Sequence, residues 1–114
     1  MLALSPQLSI FAALQPIDFR KGIDGLIGVC RQQLLKEPLD GALFLFQNRA
    51  RTAIKALCFD GQGFWLFTKR LSTGKFNWWP KNTTLDYRAV QVLFSNGNPD
   101  QAQFTEDWRP LGRN

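Results

Sequence analysis

Histidine does not occur in this sequence, and its absence removes the commonest general base, the usual nucleophilic triads and the usual imidazole ligands of zinc. Cysteine is nearly absent too. Cys30 and Cys58 stand 28 residues apart, each in an apolar segment, so neither a CxxC redox pair nor a zinc knuckle can be built from them. Both read as reduced core residues of a cytoplasmic protein. No uncharged apolar run approaches the roughly 18 residues of a membrane span. The apolar N-terminus lacks a basic leader region and is broken by Pro6 and Pro16, which argues against a signal peptide. Acidic side chains are the other scarcity: nine Asp and Glu stand against fourteen Lys and Arg, a net charge of +5 and a pI near 9.7. That excess favours phosphate-bearing partners or an anionic surface.

What is present describes an ordinary folded domain. With 114 residues, 45% hydrophobic and 20% charged, the chain has room for one core and excludes a disordered tail, a fibre or a long coiled coil. A single domain is expected over residues 1–96, with a looser tail over 97–114. Residues 8–14 suit a first strand. Asp18 can cap a helix whose Ile23, Leu26, Ile27, Cys30 and Leu34 recur on one face as far as Leu35. Four short apolar runs follow, at Ala42 to Gln47, Ala53 to Phe59, Gly63 to Thr68 and Lys75 to Trp79, and read as strands joined by hairpins. Thr84 can cap a second helix reaching Phe94. The expected fold is α+β: an antiparallel meander of four to five strands with one helix before it and one after it. Phe104 and Trp108 are the candidate anchors of the tail.

The charge is unevenly spread. Residues 1–48 carry four basic and four acidic side chains, whereas residues 49–81 carry Arg49, Arg51, Lys55, Lys69, Arg70, Lys75 and Lys81 against Asp60 alone. In a meander the first and third connectors emerge at the same end of the sheet. Arg49 and Arg51 would then lie beside Lys69, Arg70 and Lys75 as one cationic ridge, suited to salt-dependent phosphate contact of low sequence selectivity. The plain alternative is that these cations solubilise strand ends and block edge-to-edge aggregation. The turn Asp60-Gly61-Gln62-Gly63 lacks the following helix and the Lys of a P-loop, so simple turn chemistry accounts for it.

Aromatic residues crowd the same region. Strand alternation puts Phe64 and Leu66 on one face and Trp65 and Phe67 on the other, so both faces are apolar. Core plus a covered second face is the plain account of these rings; if two helices leave one face open, Trp65, Phe67 and Trp79 are candidates for a partner interface, with a base-stacking platform as the alternative. In the first helix Gly22, Gly25 and Gly28 recur every third residue. Such a strip permits close approach of another element; alternatively Arg20 and Lys21 hold a phosphate at the helix N-terminus.

The segments Asp18-Phe-Arg-Lys-Gly-Ile-Asp-Gly-Leu26, Gly41-Ala-Leu-Phe-Leu-Phe46 with Asn48-Arg49, Asp60-Gly-Gln-Gly-Phe-Trp-Leu66, and Lys69-Arg-Leu-Ser-Thr-Gly-Lys-Phe76 with Trp79-Pro80 resemble a known family. It is the small accessory protein, TnpB or Orf-two-like, of bacterial insertion sequences of the IS sixty-six family. The resemblance runs from about Ile10 to Pro80. It implies a non-catalytic protein encoded beside a separate DDE-type transposase and needed for efficient transposition. DNA at the insertion-sequence ends and that transposase are the implied partners; a homodimer is an expectation from the surplus aromatic surface alone, which dimerisation would bury. Relatives often carry a denser basic run at the hairpin tip than Asn48-Arg49-Ala50-Arg51-Thr52.

Three readings compete. In the first, the nucleic-acid contacts are Arg49, Arg51, Lys69, Arg70 and Lys75, joined by Arg20 and Lys21. In the second, the aromatic surface grips the transposase and the ridge only solubilises. The third and weakest makes Asp18, Asp24 and Asp60 magnesium ligands of a small nuclease. Under the first two, no catalytic residue, cofactor or metal is expected.

Overall fold

The computed structural model describes residues 7–100. A mixed five-stranded sheet in the order β4-β3-β2-β1-β5 forms its centre. The strands are β1 (Ile10–Ala12), β2 (Leu43–Gln47), β3 (Ala53–Phe59), β4 (Phe64–Arg70) and β5 (Thr84–Leu85), with helices α1 (Ile23–Gln32) and α2 (Tyr87–Phe94). The fold is α+β as expected, but the sheet is not purely antiparallel. β1 runs parallel to β2, with Ile10 opposite Leu43, while β5 is antiparallel to β1. The reason lies in the connection: α1 carries the chain back to its starting end, so the two strands it joins must run the same way. The first helix therefore lies between two neighbouring strands of the sheet rather than ahead of it.

β2 is the centre of the core and is buried along its whole length. It reads as a continuous apolar run because both faces are covered. Phe44 and Phe46 pack with Leu26, Val29 and Cys30 of α1, whereas Leu43 and Leu45 pack with Val90 and Leu93 of α2. Cys30 and Cys58 belong to these two opposite layers and both are free thiols. Burial pushes the Cys30 thiol up to about 12.

Several boundaries differ from expectation. The first strand is three residues long, and α1 begins at Ile23 with Gly22 as an N-cap that has no side-chain hydrogen bond. Asp18 does not cap it, because its carboxylate is held by Arg20. The helix ends at Gln32 rather than Leu35, and Leu35 adopts a left-handed φ of 55° where the chain turns away. The glycine strip does not admit another element as a whole: a Cβ on Gly22 or Gly28 would meet nothing within 4 Å, and only Gly25 is closely approached, by the Lys21 side chain at 3.0 Å. Thr84 is a β5 residue, and α2 is capped instead by Asp86, whose carboxylate accepts from the Ala89 amide at 2.8 Å.

The largest correction concerns Lys75 to Trp79, which form no strand. Gly74, at φ 75°, turns the chain, and the Phe76 amide donates to the Arg51 carbonyl at 2.8 Å. The segment then crosses the α2 face of the sheet, burying Phe76 and packing Trp78 and Trp79 against that core. Burial of these rings replaces edge pairing, and β4 is left as an outer strand.

Candidate nucleic-acid interface

Strand directions sort the loops to two ends. The turn 48–52, the loop 13–22 after β1 and the stretch 71–83 between β4 and β5 all leave the sheet at the end where β2 finishes. Hydrogen bonds tie them together. Ile17 donates to the Gln47 carbonyl, Leu71 to that of Thr52 and Ala12 to that of Thr83. The Asn48 carboxamide accepts from the amides of Thr52 and Ala53, which fixes the tip. Arg51, at φ 64°, binds Phe76 through its backbone carbonyl and through its guanidinium at 3.2 Å. Lys55 reaches from β3 to the carbonyls of Phe19 and Lys21, so the loop before α1 is pinned to the sheet.

This end collects Arg20, Lys21, Arg49, Arg51, Lys69, Arg70, Lys75 and Lys81 against Asp18, Asp24 and Asp100. The third connector of the expected meander thus returns beside the first although its last strand does not exist. Not all of these cations are free. Arg20 is paired with Asp18, its guanidinium 2.6 Å from the carboxylate, and that bond holds the Asp18 carboxyl down at about 2. Lys69 is half-buried and donates to the Phe94 carbonyl at the end of α2, where a cation also suits the helix dipole. Lys21, Arg49, Arg51, Arg70, Lys75 and Lys81 are exposed and form no ion pair among the described residues. Lys81 joins this end because Lys75 to Trp79 form no strand, which would have carried the chain to the opposite end; it shares a groove with Asp100. Beside the tip, a groove of about 380 Å³ lies between Ile17, Phe19 and Arg49.

The other end is built differently. Asp60 accepts from the amides of Gln62 and Gly63 and from the Trp65 indole, and these bonds lower its pKa. Glu37 receives Arg31 and the Leu39 amide, and Asp86 caps α2. Asp60 thus sits across the sheet from Asp18 and Asp24, and the three carboxylates do not converge on a metal.

The aromatic candidates separate. Trp65 and Phe67 are 45% and 38% exposed on the α2 face of β4, their rings stacked at 5.8 Å and 7°. Trp79 is half-buried, packed on the core and donating its indole N–H to the Ala13 carbonyl at 2.8 Å. It is anchored within the fold rather than displayed beside the other two.

A sequence model of the family described as IS66 Orf2 like protein matches residues 8–103. The chain belongs to this family. The match takes in the whole basic end and the β4 edge, and it places the chain among accessory proteins associated with insertion sequences. Two relatives from Sinorhizobium fredii (strain NBRC 101917 / NGR234) are similar to it. The uncharacterized protein y4hO is 32% identical over 111 residues, covering 96% of each chain. The uncharacterized protein y4jC is 38% identical over 76 residues, 67% of this chain and 65% of its own length. No solved structure matches. No helix among the described residues of this IS66 Orf2-like chain is long and apolar enough to cross a membrane. Its residues from 101 onward, including Phe104, Trp108 and most of the expected tail, lie outside the described part. The Trp78 indole donates to Asp100 and the Asn77 amide to the Asn96 side chain, which ties 96–100 to the preceding loop.

Proposed function

We propose that this protein is a non-catalytic accessory factor of insertion-sequence transposition that engages DNA, alone or within a complex with a separate DDE-type transposase, through its basic end. The observation that carries the reading is the group of exposed cations at one end of the sheet with no carboxylate partner. A protein surface gains nothing in stability from massed like charge, whereas a phosphate backbone supplies the missing counter-charge. Lys21, Arg49, Arg70 and Lys75 are the primary contacts. Arg51 has a second duty, since it also holds Phe76. The N-terminus of α1 faces the same end without a side-chain cap, which adds its free amides to the attraction for anions.

Fluorescence anisotropy with duplex and single-stranded insertion-sequence ends, across a range of salt, tests this. Affinity should fall linearly in log salt, with a slope near −4 if about four cations each meet a duplex phosphate. Absence of binding at low salt would refute DNA engagement. The exposed Trp65–Phe67 stack supports a second reading, in which the aromatic surface binds the transposase without DNA contact. In that case Trp65→Ala abolishes transposase capture and Arg49→Ala with Arg70→Ala leaves it intact.

A further inference from the structure

β4 is an outer strand of seven residues with no Pro or Gly. Asp60 donates its amide to the Gly63 carbonyl and Leu71 to that of Thr52, which sets the parity of the β3–β4 ladder. Trp65, Phe67 and Lys69 therefore bond inward to β3, and the amides and carbonyls of Phe64, Leu66, Thr68 and Arg70 point out. None of these four has a backbone partner across that edge among the described residues. Such an edge is a template for another strand.

We propose that the open edge of β4 pairs with β4 of a second copy of this chain, antiparallel and centred on Phe67, to make a continuous ten-stranded sheet. The strand is complementary to itself. Its first half is aromatic and aliphatic (Phe64, Trp65, Leu66, Phe67) and its second half is cationic (Lys69, Arg70). Antiparallel pairing sets one half against the other, whereas a parallel pairing would line Lys69 and Arg70 up with themselves. In the centred register Phe64 faces Arg70, Trp65 faces Lys69 and Leu66 faces Thr68 of the other copy, while Phe67 meets its own counterpart at the two-fold axis. The Phe67 rings then meet at the axis and the exposed Arg70 reaches the Phe64 ring of the other copy, while Lys69 keeps its bond to the Phe94 carbonyl. This register engages all four outward residues of each copy.

The two-fold axis points the two basic ends in opposite directions, so one dimer would hold two DNA segments. That consequence rests on the DNA reading; the dimer does not.

Sedimentation equilibrium of the full chain without DNA tests the pairing. The expected result is a concentration-dependent dimer that strengthens with salt, because each copy carries +5, in contrast to DNA binding, which salt weakens. Thr68→Pro removes an outward amide in each copy without touching the bonds to β3; it should raise the dimer dissociation constant roughly tenfold or more with an unchanged circular-dichroism spectrum. Should Thr68→Pro fail to fold, Phe67→Lys, at an exposed site, places two ammonium groups on the axis and should also give monomer. Phe67→Cys should cross-link two copies under oxidation, and Thr68→Cys should not. A monomer at all concentrations, or a dimer indifferent to both Thr68→Pro and Phe67→Lys, overturns the proposal. With DNA added, wild type should capture a labelled duplex onto an immobilised one. Thr68→Pro should bind single duplexes normally and lose that bridging. If wild type binds no duplex at all, the DNA reading fails and the dimer result stands by itself.

Discussion

The two ends of the sheet use charge in opposite ways. At the turn and cap end, Asp60 closes a hairpin, Glu37 ties Arg31 to the Leu39 amide and Asp86 starts α2. Each of these three carboxylates has a structural employment that the fold would miss. At the basic end Asp18 is tied to Arg20, and the exposed Arg49, Arg70 and Lys75 donate no side-chain hydrogen bond among the described residues. The contrast teaches where to look for function: side chains that the fold does not need, massed against their own repulsion, are those another molecule has a use for.

The prediction with the largest effect attacks the support of the basic end. Phe76→Ala empties a fully buried ring site under Arg51 and should cost about 3–5 kcal/mol of stability, measured by urea denaturation, and should loosen the basic end before the acidic one in hydrogen exchange. Equal protection loss at both ends would break the comparison. Next come matched charge removals. Arg49→Ala with Arg70→Ala should weaken duplex binding by about tenfold or more and flatten the salt slope by about 2. Arg31→Ala with Lys36→Ala removes the same charge from the other end and should change affinity by less than about twofold, by anisotropy on the same duplex. Equal losses would mean that net charge rather than its placement governs binding.

A third variant separates stability from charge. Gly28→Ala puts a methyl group into open space in the middle of α1 and should stabilise the protein by about 1 kcal/mol while leaving duplex affinity unchanged, read by thermal denaturation and anisotropy in parallel. The smallest effect is in acid. Asp18 and Asp60 have depressed folded-state pKa values, so their contribution is present above the ordinary carboxylate range and is lost as pH falls through the depressed values. For Asp18 that window runs from 3.8 down to about 2. Asp60→Asn should shrink the melting-temperature loss on acidification, and a variant as acid-sensitive as wild type would remove Asp60 from this account.

Much of the fold was legible in the sequence, and the failures share a cause. The runs that became β2, β3 and β4 match their expected positions within a residue or two, because short apolar runs and the turn chemistry of Asn48 to Thr52 and Asp60 to Gly63 are local signals. The parallel pairing of β1 was also available in principle, since strand, helix, strand is the pattern of a crossover. Lys75 to Trp79 misled because a short aromatic run looks the same whether it pairs at an edge or lies across a face. Caps misled similarly: Asp18 and Thr84 are good capping residues, and only the positions of Arg20 and β1 divert them.

The sequence by itself determined that the protein is a small basic α+β domain without histidine chemistry, and that its charge excess sits between residues 49 and 81, because composition and local periodicity are properties of the chain alone. Tertiary structure decided which cations stand free. Lys55 and Lys69 are held by carbonyls 36 and 25 residues away, and such partners are chosen by packing. It also decided that β4 keeps an open edge, because burying Phe76, Trp78 and Trp79 drew the chain across the sheet instead of alongside it.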